Sequence, residues 1–300
     1  MEELREAGFR SGSWRGNHKI RIKKMDNTTE QKLKKCYNVG WEKVWAKELD
    51  KQYNPLSKYY NNRMLDCIGL IKEETNCHFK LLDVGCGIGI YSINILKKFN
   101  NCILFGFDIS EKQIDFINDK LVNLGLKDRC KFFVDDANNF NLNQKFDYII
   151  CTELLEHLTN PIQTLENIYE HGSIHTKFVF SVPHIYGSGE SGWFYRQFVN
   201  RDQWIETQDF SKIDPNKEYY EFYHKQYSIE EIETLLRDNK FEILEIKYSN
   251  FNFKNEKLNF GYSLFAYPII DKILNKITLN RYSSQITLLC KKRDFIEMTR

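Results

Sequence analysis

The chain is short of several features at once, and each shortage narrows what it can be. Its 43 Lys and Arg against 41 Asp and Glu leave a net charge of +2, so no strong field points to a partner of one sign. The central chain carries no clustered basic face of the kind nucleic-acid binders show, and a nucleic-acid partner is not expected. Eight cysteines, at 36, 67, 77, 86, 102, 130, 151 and 290, include no C-x-x-C pair. That argues against a zinc knuckle and against a disulfide framework, and it suits a reducing compartment. The longest apolar run, around 260–270, is interrupted by Gly261, Ser263 and Pro268 and is too short to span a bilayer. No signal peptide is visible, because Glu2, Glu3 and Glu6 spoil a basic n-region and no apolar h-region follows. The cytoplasm is the expected compartment.

What is present is a large apolar complement, 42% of the chain, with 15% aromatic residues. This supports a sizeable core in one large domain with appendages. Residues 1–24 hold four of the twelve arginines of a chain that otherwise prefers lysine; they read as a flexible arm or an expression remnant ahead of Met25. Residues 25–78 read as an N-terminal helical cap. Leu33, Tyr37, Trp41 and Trp45 recur every four residues, as do Tyr60, Met64 and Ile68. Residues 79–300 form the main domain, with insertions at 185–224 and 255–281.

The main domain is organised around Leu81-Leu82-Asp83-Val84-Gly85-Cys86-Gly87-Ile88-Gly89. A short apolar strand runs into glycines at alternate positions, and Ile90, Ile93 and Leu96 continue at helical spacing. Glycine permits a sharp turn and the close approach of a ligand, and the new helix offers free N–H groups and a positive dipole end. The dinucleotide fingerprint G-x-G-x-x-G does not fit, because Ile90 stands where its third glycine would be. A second apolar run, from Ile103 to Phe107, ends in Asp108, nineteen residues beyond Gly89. An acidic side chain at that strand tip is placed to accept hydrogen bonds from ribose hydroxyls. Further strands are expected at Cys130–Val134, Phe146–Cys151, Lys177–Val182, Phe241–Tyr248 and Gln285–Lys291. A helix over Tyr227–Lys240 opens on Ser228 with Glu231 three residues later, a capping box. The fold expected is α/β: a Rossmann-like, seven-stranded, mostly parallel sheet with helices on both faces.

The D-x-G-x-G-x-G spelling at 83–89, followed by Asp108, resembles motif I and the acidic ribose loop of class I S-adenosylmethionine (SAM)-dependent methyltransferases. The resemblance covers roughly residues 56–250. It implies SAM as cofactor, held by Asp83, Gly85, Cys86, Gly87 and Gly89, by Asp108 and Ile109 at the ribose, and by Asp136 and Ala137 at the adenine. Cys151 and Glu153 would lie by the methionine end. The aromatic-rich insertion 185–224 follows a strand end that faces such a pocket and reads as a substrate cover. Because the sulfonium methyl is already activated, the protein mainly has to hold an acceptor in line, with a base where the acceptor is a hydroxyl or protonated amine. His157, His184 and His224 are the candidate bases.

Glu153-x-x-Glu156-His157, with His224 farther on, also resembles metal-assisted O-methyltransferases of the ubiquinone pathway and of small-RNA 3′-terminal 2′-O methylation. There, Glu153, Glu156, His157 and His224 would hold a divalent ion that lowers the pKa of an acceptor hydroxyl. Metal-free relatives also carry E-H-L after strand four, so both readings stand. The D/N-P-P-Y of exocyclic-amine methylases and the Pro-Cys of cytosine-C5 enzymes are replaced here by Cys151-Thr152-Glu153-Leu154. The expected function is methyl transfer to oxygen or nitrogen of a small polar acceptor, of glycan or secondary-metabolite type. An RNA terminal-ribose methyltransferase and a non-catalytic SAM-fold scaffold are the alternatives.

Overall fold

Strand β1 (Phe79–Val84) exposes only Lys80 and buries its other five residues. The computed structural model describes residues 58–72, 78–158, 160–184, 225–251 and 283–293. The expected arm 1–24, most of the helical cap, both insertions and His224 lie outside the described residues. Consecutive residues of β1 point to opposite faces of the sheet, and the two faces have separate cores. Leu81 joins the core that includes Met64, Ile93, Ile117 and Leu121. Leu82 and Val84 join the other, with Leu165, Ile168, Phe178, Ile232 and Phe241. A strand buried on both faces is what a parallel sheet between two helix layers requires.

The remaining strands are β2 (Cys102–Asp108), β3 (Cys130–Val134), β4 (Phe146–Thr152), β5 (Gly172–Pro183), β6 (Phe241–Phe251) and β7 (Ser283–Lys292). Among the described residues they form one seven-stranded sheet in the order β3-β2-β1-β4-β5-β7-β6. β7 runs antiparallel to both of its neighbours, β5 and β6. The connections reverse direction between β1 and β4, which makes their carboxyl ends the topological switch point where open α/β sheets bind ligands.

Five helices accompany these strands among the described residues. They are α1 (Lys58–Leu70), α2 (Ile90–Lys98), α3 (Glu111–Asn123), α4 (Pro161–His171) and α5 (Ile229–Asp238). α3 buries Ile114, Ile117 and Leu121, three positions spaced to lie on one face. α5 begins at a complete capping box: the Glu231 N–H donates to Ser228 Oγ at 3.2 Å, and the Ser228 N–H donates to Glu231 Oε2 at 2.9 Å. α1 lies on the sheet against β5, β6, β7 and α2. Its Met64 and Ile68 are buried, as their spacing predicts.

β5 starts five residues earlier than the apolar run at Lys177 suggests, directly after α4. Polar side chains hide that start in the sequence. The Ser173 N–H donates to Thr176 Oγ1 at 2.7 Å, and Thr176 Oγ1 donates to the Phe146 carbonyl at 2.5 Å. These bonds carry a register irregularity between β4 and β5.

Phe241 is fully buried and meets Phe178, Phe180 and Tyr169 edge-on at 5.0, 5.2 and 5.6 Å between ring centres. Replacing it by alanine leaves a cavity, and Phe241→Ala should cost about 3–5 kcal/mol. Val122→Ala, at a largely exposed position, should stay within about 0.5 kcal/mol of the parent. Urea midpoints of the two variants check this; similar midpoints would contradict the assigned core.

Candidate active site at the carboxyl ends of the strands

Gly85, Gly87 and Gly89 all have positive φ, at 71°, 53° and 76°, in the left-handed region that glycine adopts without steric cost. Space excludes side chains here as well. A Cβ on Gly89 would lie 1.9 Å from Ile117 Cδ1, and one on Gly85 would lie 2.8 Å from Leu154 Cδ2. The bend then opens α2 at Gly89.

Asp108 ends β2 beside this bend, because Val84 and Phe107 are register partners. Its Oδ2 accepts from the Gly87 N–H at 2.9 Å and its Oδ1 from the Ser110 N–H at 3.0 Å. The Cys86 N–H donates to the Phe107 carbonyl at 2.9 Å, and the Asp135 N–H to the Asp108 carbonyl at 3.1 Å. Burial pushes the Asp108 carboxyl above its usual range, and the hydrogen bonds from Ser110, Gly87 and Ile109 oppose that rise. The residue is half-buried, and its carboxylate keeps lone-pair capacity beyond the three backbone N–H groups already engaged. Next to it, the loop after β3 is wound on Asp136, whose Oδ1 accepts from the Asn138 N–H at 3.0 Å. Ala137 is buried and Ile109 half-buried.

Asp83 lies behind the bend, at 1% exposure. The Ser92 hydroxyl donates to its Oδ2 at 2.5 Å, stapling the first turn of α2 to β1. Burial pushes its carboxyl up to about 7; the Ser92 bond opposes the rise and the Asp108 charge adds to it. Cys151 is fully buried and its thiol is held well above the ordinary value, by burial first.

Glu153, just beyond β4, has φ 53°, unusual for a residue with a Cβ. Its N–H donates to the Ser181 carbonyl at 3.1 Å. Oε1 accepts from the Ser181 hydroxyl at 2.8 Å and from the Gln285 amide. Oε2 meets Arg63 Nη1 at 2.5 Å. Arg63 comes from α1, ninety residues earlier, and its side chain is 6% exposed. Sequence reasoning missed Arg63, Ser181 and Gln285. The one available signal was an arginine just ahead of the glycine bend in a lysine-rich chain.

His157 ends a short turn at Leu155–His157. Its side chain is 22% exposed, and its Nε2 stands 3.9 Å from Oε1 of the buried Glu156. The chain returns to this turn at Lys225, whose N–H donates to the Glu156 carbonyl at 2.8 Å. His184 is 3% exposed, with Nδ1 3.0 Å from the Ser283 carbonyl and 3.2 Å from its hydroxyl. Burial, first of all, lowers its pKa. His184 thus sits in the joint between β5 and β7, whereas His157 stands at a surface. Among the described residues no three His, Cys, Asp or Glu side chains are grouped to hold a metal ion. The hydrogen-bonded Glu153 carboxylate does not fit the ligand role that the E-x-x-E-H spelling suggests.

The sheet order and the glycine bend define a Rossmann-like methyltransferase fold. The same fold occurs in magnesium protoporphyrin IX methyltransferase from Synechocystis PCC 6803 with bound SAM. The TM-score is 0.54 at 14% identity, over 86% of this chain and 96% of that one. Residues 82–173 match the family model described as a methyltransferase domain. The chain is 26% identical over 205 residues to malonyl-[acyl-carrier protein] O-methyltransferase 2 of Ilyobacter polytropus, covering 66% of this chain and 70% of the relative. It is 33% identical over 90 residues to (S)-coclaurine N-methyltransferase of Papaver somniferum, covering 30% and 25%. The chain thus spans about a quarter to 70% of the length of these curated relatives. Residues 82–173 thus carry a methyltransferase domain, and the fold around them is the one that holds SAM in the Synechocystis enzyme. The three bare glycines and the Asp108 carboxylate fit an adenosyl ligand.

Two outcomes follow from these contacts. The folded carboxyl of Asp83, at about 7, lies above the unfolded value of about 3.9. Its contribution to stability is therefore full below about pH 4 and is lost as the pH rises to about 7. Asp83→Asn should lack that decline, so its urea midpoint should gain on the parent's between about pH 5 and about pH 8; a constant difference would contradict the burial argument. Arg63→Ala strands the Glu153 charge and should cost about 3–5 kcal/mol. Arg63→Ala with Glu153→Gln should recover part of that loss, and strictly additive losses in the double-mutant cycle would show the pair to be uncoupled.

Proposed function

We propose that the chain transfers the methyl group of SAM to an oxygen or nitrogen of a small polar acceptor, of glycan or secondary-metabolite type. The observation that supports this most is the 2.9 Å bond from the Gly87 N–H to the Asp108 carboxylate. It makes the bend and the carboxylate one surface. On this reading the bend faces the adenosyl ligand, Asp108 accepts from its ribose hydroxyls, and Asp136, Ala137 and Ile109 bound its adenine. Arg63 supplies a guanidinium suited to the carboxylate of the amino-acid part. Bound SAM supplies a methyl group already activated by its sulfonium.

The acceptor side lies beyond β4 and β5. β5 ends at Pro183 and the Lys225 N–H bonds the Glu156 carbonyl, so the described residues that flank positions 185–224 stand on that side. His157 is the base that suits a hydroxyl or ammonium acceptor, because it is partly exposed and Glu156 stands against its ring. The relative matched over 205 residues is named as an O-methyltransferase, so oxygen acceptors are the first to test. A metal-assisted reading requires the Glu153 carboxylate to leave Arg63, Ser181 and Gln285. No observation favours RNA as acceptor.

Calorimetric titration with SAM, followed by transfer of labelled methyl to a panel of small acids, phenols and amines, tests the proposal. Asp108→Ala should weaken SAM binding by about 1–3 kcal/mol through loss of the charged acceptor. Unchanged affinity would contradict the assignment, and absence of binding by the parent would favour a scaffold.

A further inference from the structure

We infer that His171 is a positioning residue: its neutral imidazole holds the loop that bounds the adenine, so that affinity for SAM falls on acidification. This rests on the cofactor site proposed above. His171 is the last residue of α4 and is 7% exposed. Its Nε2 lies 3.0 Å from the Leu142 N–H, which can only donate. Its Nδ1 lies 2.7 Å from the Asn167 carbonyl, which can only accept. The two neighbours together select one neutral tautomer, with the proton on Nδ1 and the lone pair on Nε2.

The same helix grips the rest of the loop after β3. Thr164 Oγ1 donates to Asn138 Oδ1 at 2.8 Å, and Asn167 Nδ2 donates to the Ala137 carbonyl at 3.3 Å. The His171 ring stacks on Phe140 at 4.4 Å, and Phe140 meets Phe107 at 4.7 Å, one residue before Asp108. His171 therefore closes the far end of a segment whose near end is Asp136. Protonating Nε2 removes the acceptor for Leu142 and sets one N–H against another.

The charged groups that face the ring are Lys145, ahead of β4, Glu170 on its own helix and Asp135 after β3. Burial and Lys145 disfavour the imidazolium, whereas Glu170, Asp135 and the Asn167 bond favour it. The balance lowers the pKa, burial being the largest cause. The neutral form's contribution to stability is thus fully present above the unfolded value of about 6.5 and is lost as pH falls through the lower folded value.

The test is SAM affinity of the full chain at about pH 7.5 and about pH 5.5, by calorimetry, for the parent and for His171→Gln. The glutamine amide can also accept from Leu142 and donate to Asn167, but it does not titrate. As the pH falls through the lowered folded value, the parent should weaken more than His171→Gln, by up to about tenfold once the ring is protonated, the factor matching about 1.4 kcal/mol for one lost hydrogen bond. Amide-exchange protection of residues 136–142 in the parent, corrected for intrinsic rates, should fall over the same range, and it decides the matter if the variant does not fold. Equal pH responses in the two proteins, or unchanged protection where the variant does not fold, would overturn the role of His171. Absence of SAM binding by the parent at about pH 7.5 would instead overturn the site on which the inference rests.

Discussion

The bond between the Gly87 N–H and the Asp108 carboxylate joins the ends of two neighbouring strands, and the rest of the site depends on that joint. It exists because Val84 and Phe107 are register partners, so that both strands end level. A one-residue slip would turn the Asp108 side chain to the other face of the sheet. The glycines make the joint possible in a second way. A side chain at 85 or 89 would meet Leu154 or Ile117, and the backbone could not come close enough to β2 to donate.

Glu153 performs a comparable task on the other side of the switch point. Its left-handed backbone costs on the order of 1–3 kcal/mol, and contacts from three elements hold it there: Ser181 of β5, Gln285 of β7 and Arg63 of α1. A buried ion pair contributes little net stability against an apolar alternative. Here its consequence is positional, since it ties a helix that precedes the bend to the strand end that follows it.

Much of the architecture was legible because it is written in local patterns. The capping box at Ser228 and Glu231, the stripe of Ile114, Ile117 and Leu121, and the glycine bend each depend on residues within one or two turns of one another. β5 was half-legible: its apolar half from Lys177 was visible, and its polar start was not, because Ser173 and Thr176 bond to backbone instead of packing. Of the three candidate histidines, only tertiary contacts separate His184, tied into the β5–β7 joint, from His157 at the edge of the site.

The sequence by itself determined the fold class, the strand–bend–helix unit and the acidic tip of β2, because periodicity and glycine spacing are short-range properties. Tertiary structure decided which polar groups meet. Arg63 reaches Glu153 across ninety residues, Gln285 reaches it across 132, and His171 finds Leu142 across twenty-nine. Such partners are set by sheet order and by the burial that makes an unpaired polar group costly, and neither is encoded in the spacing of any one segment.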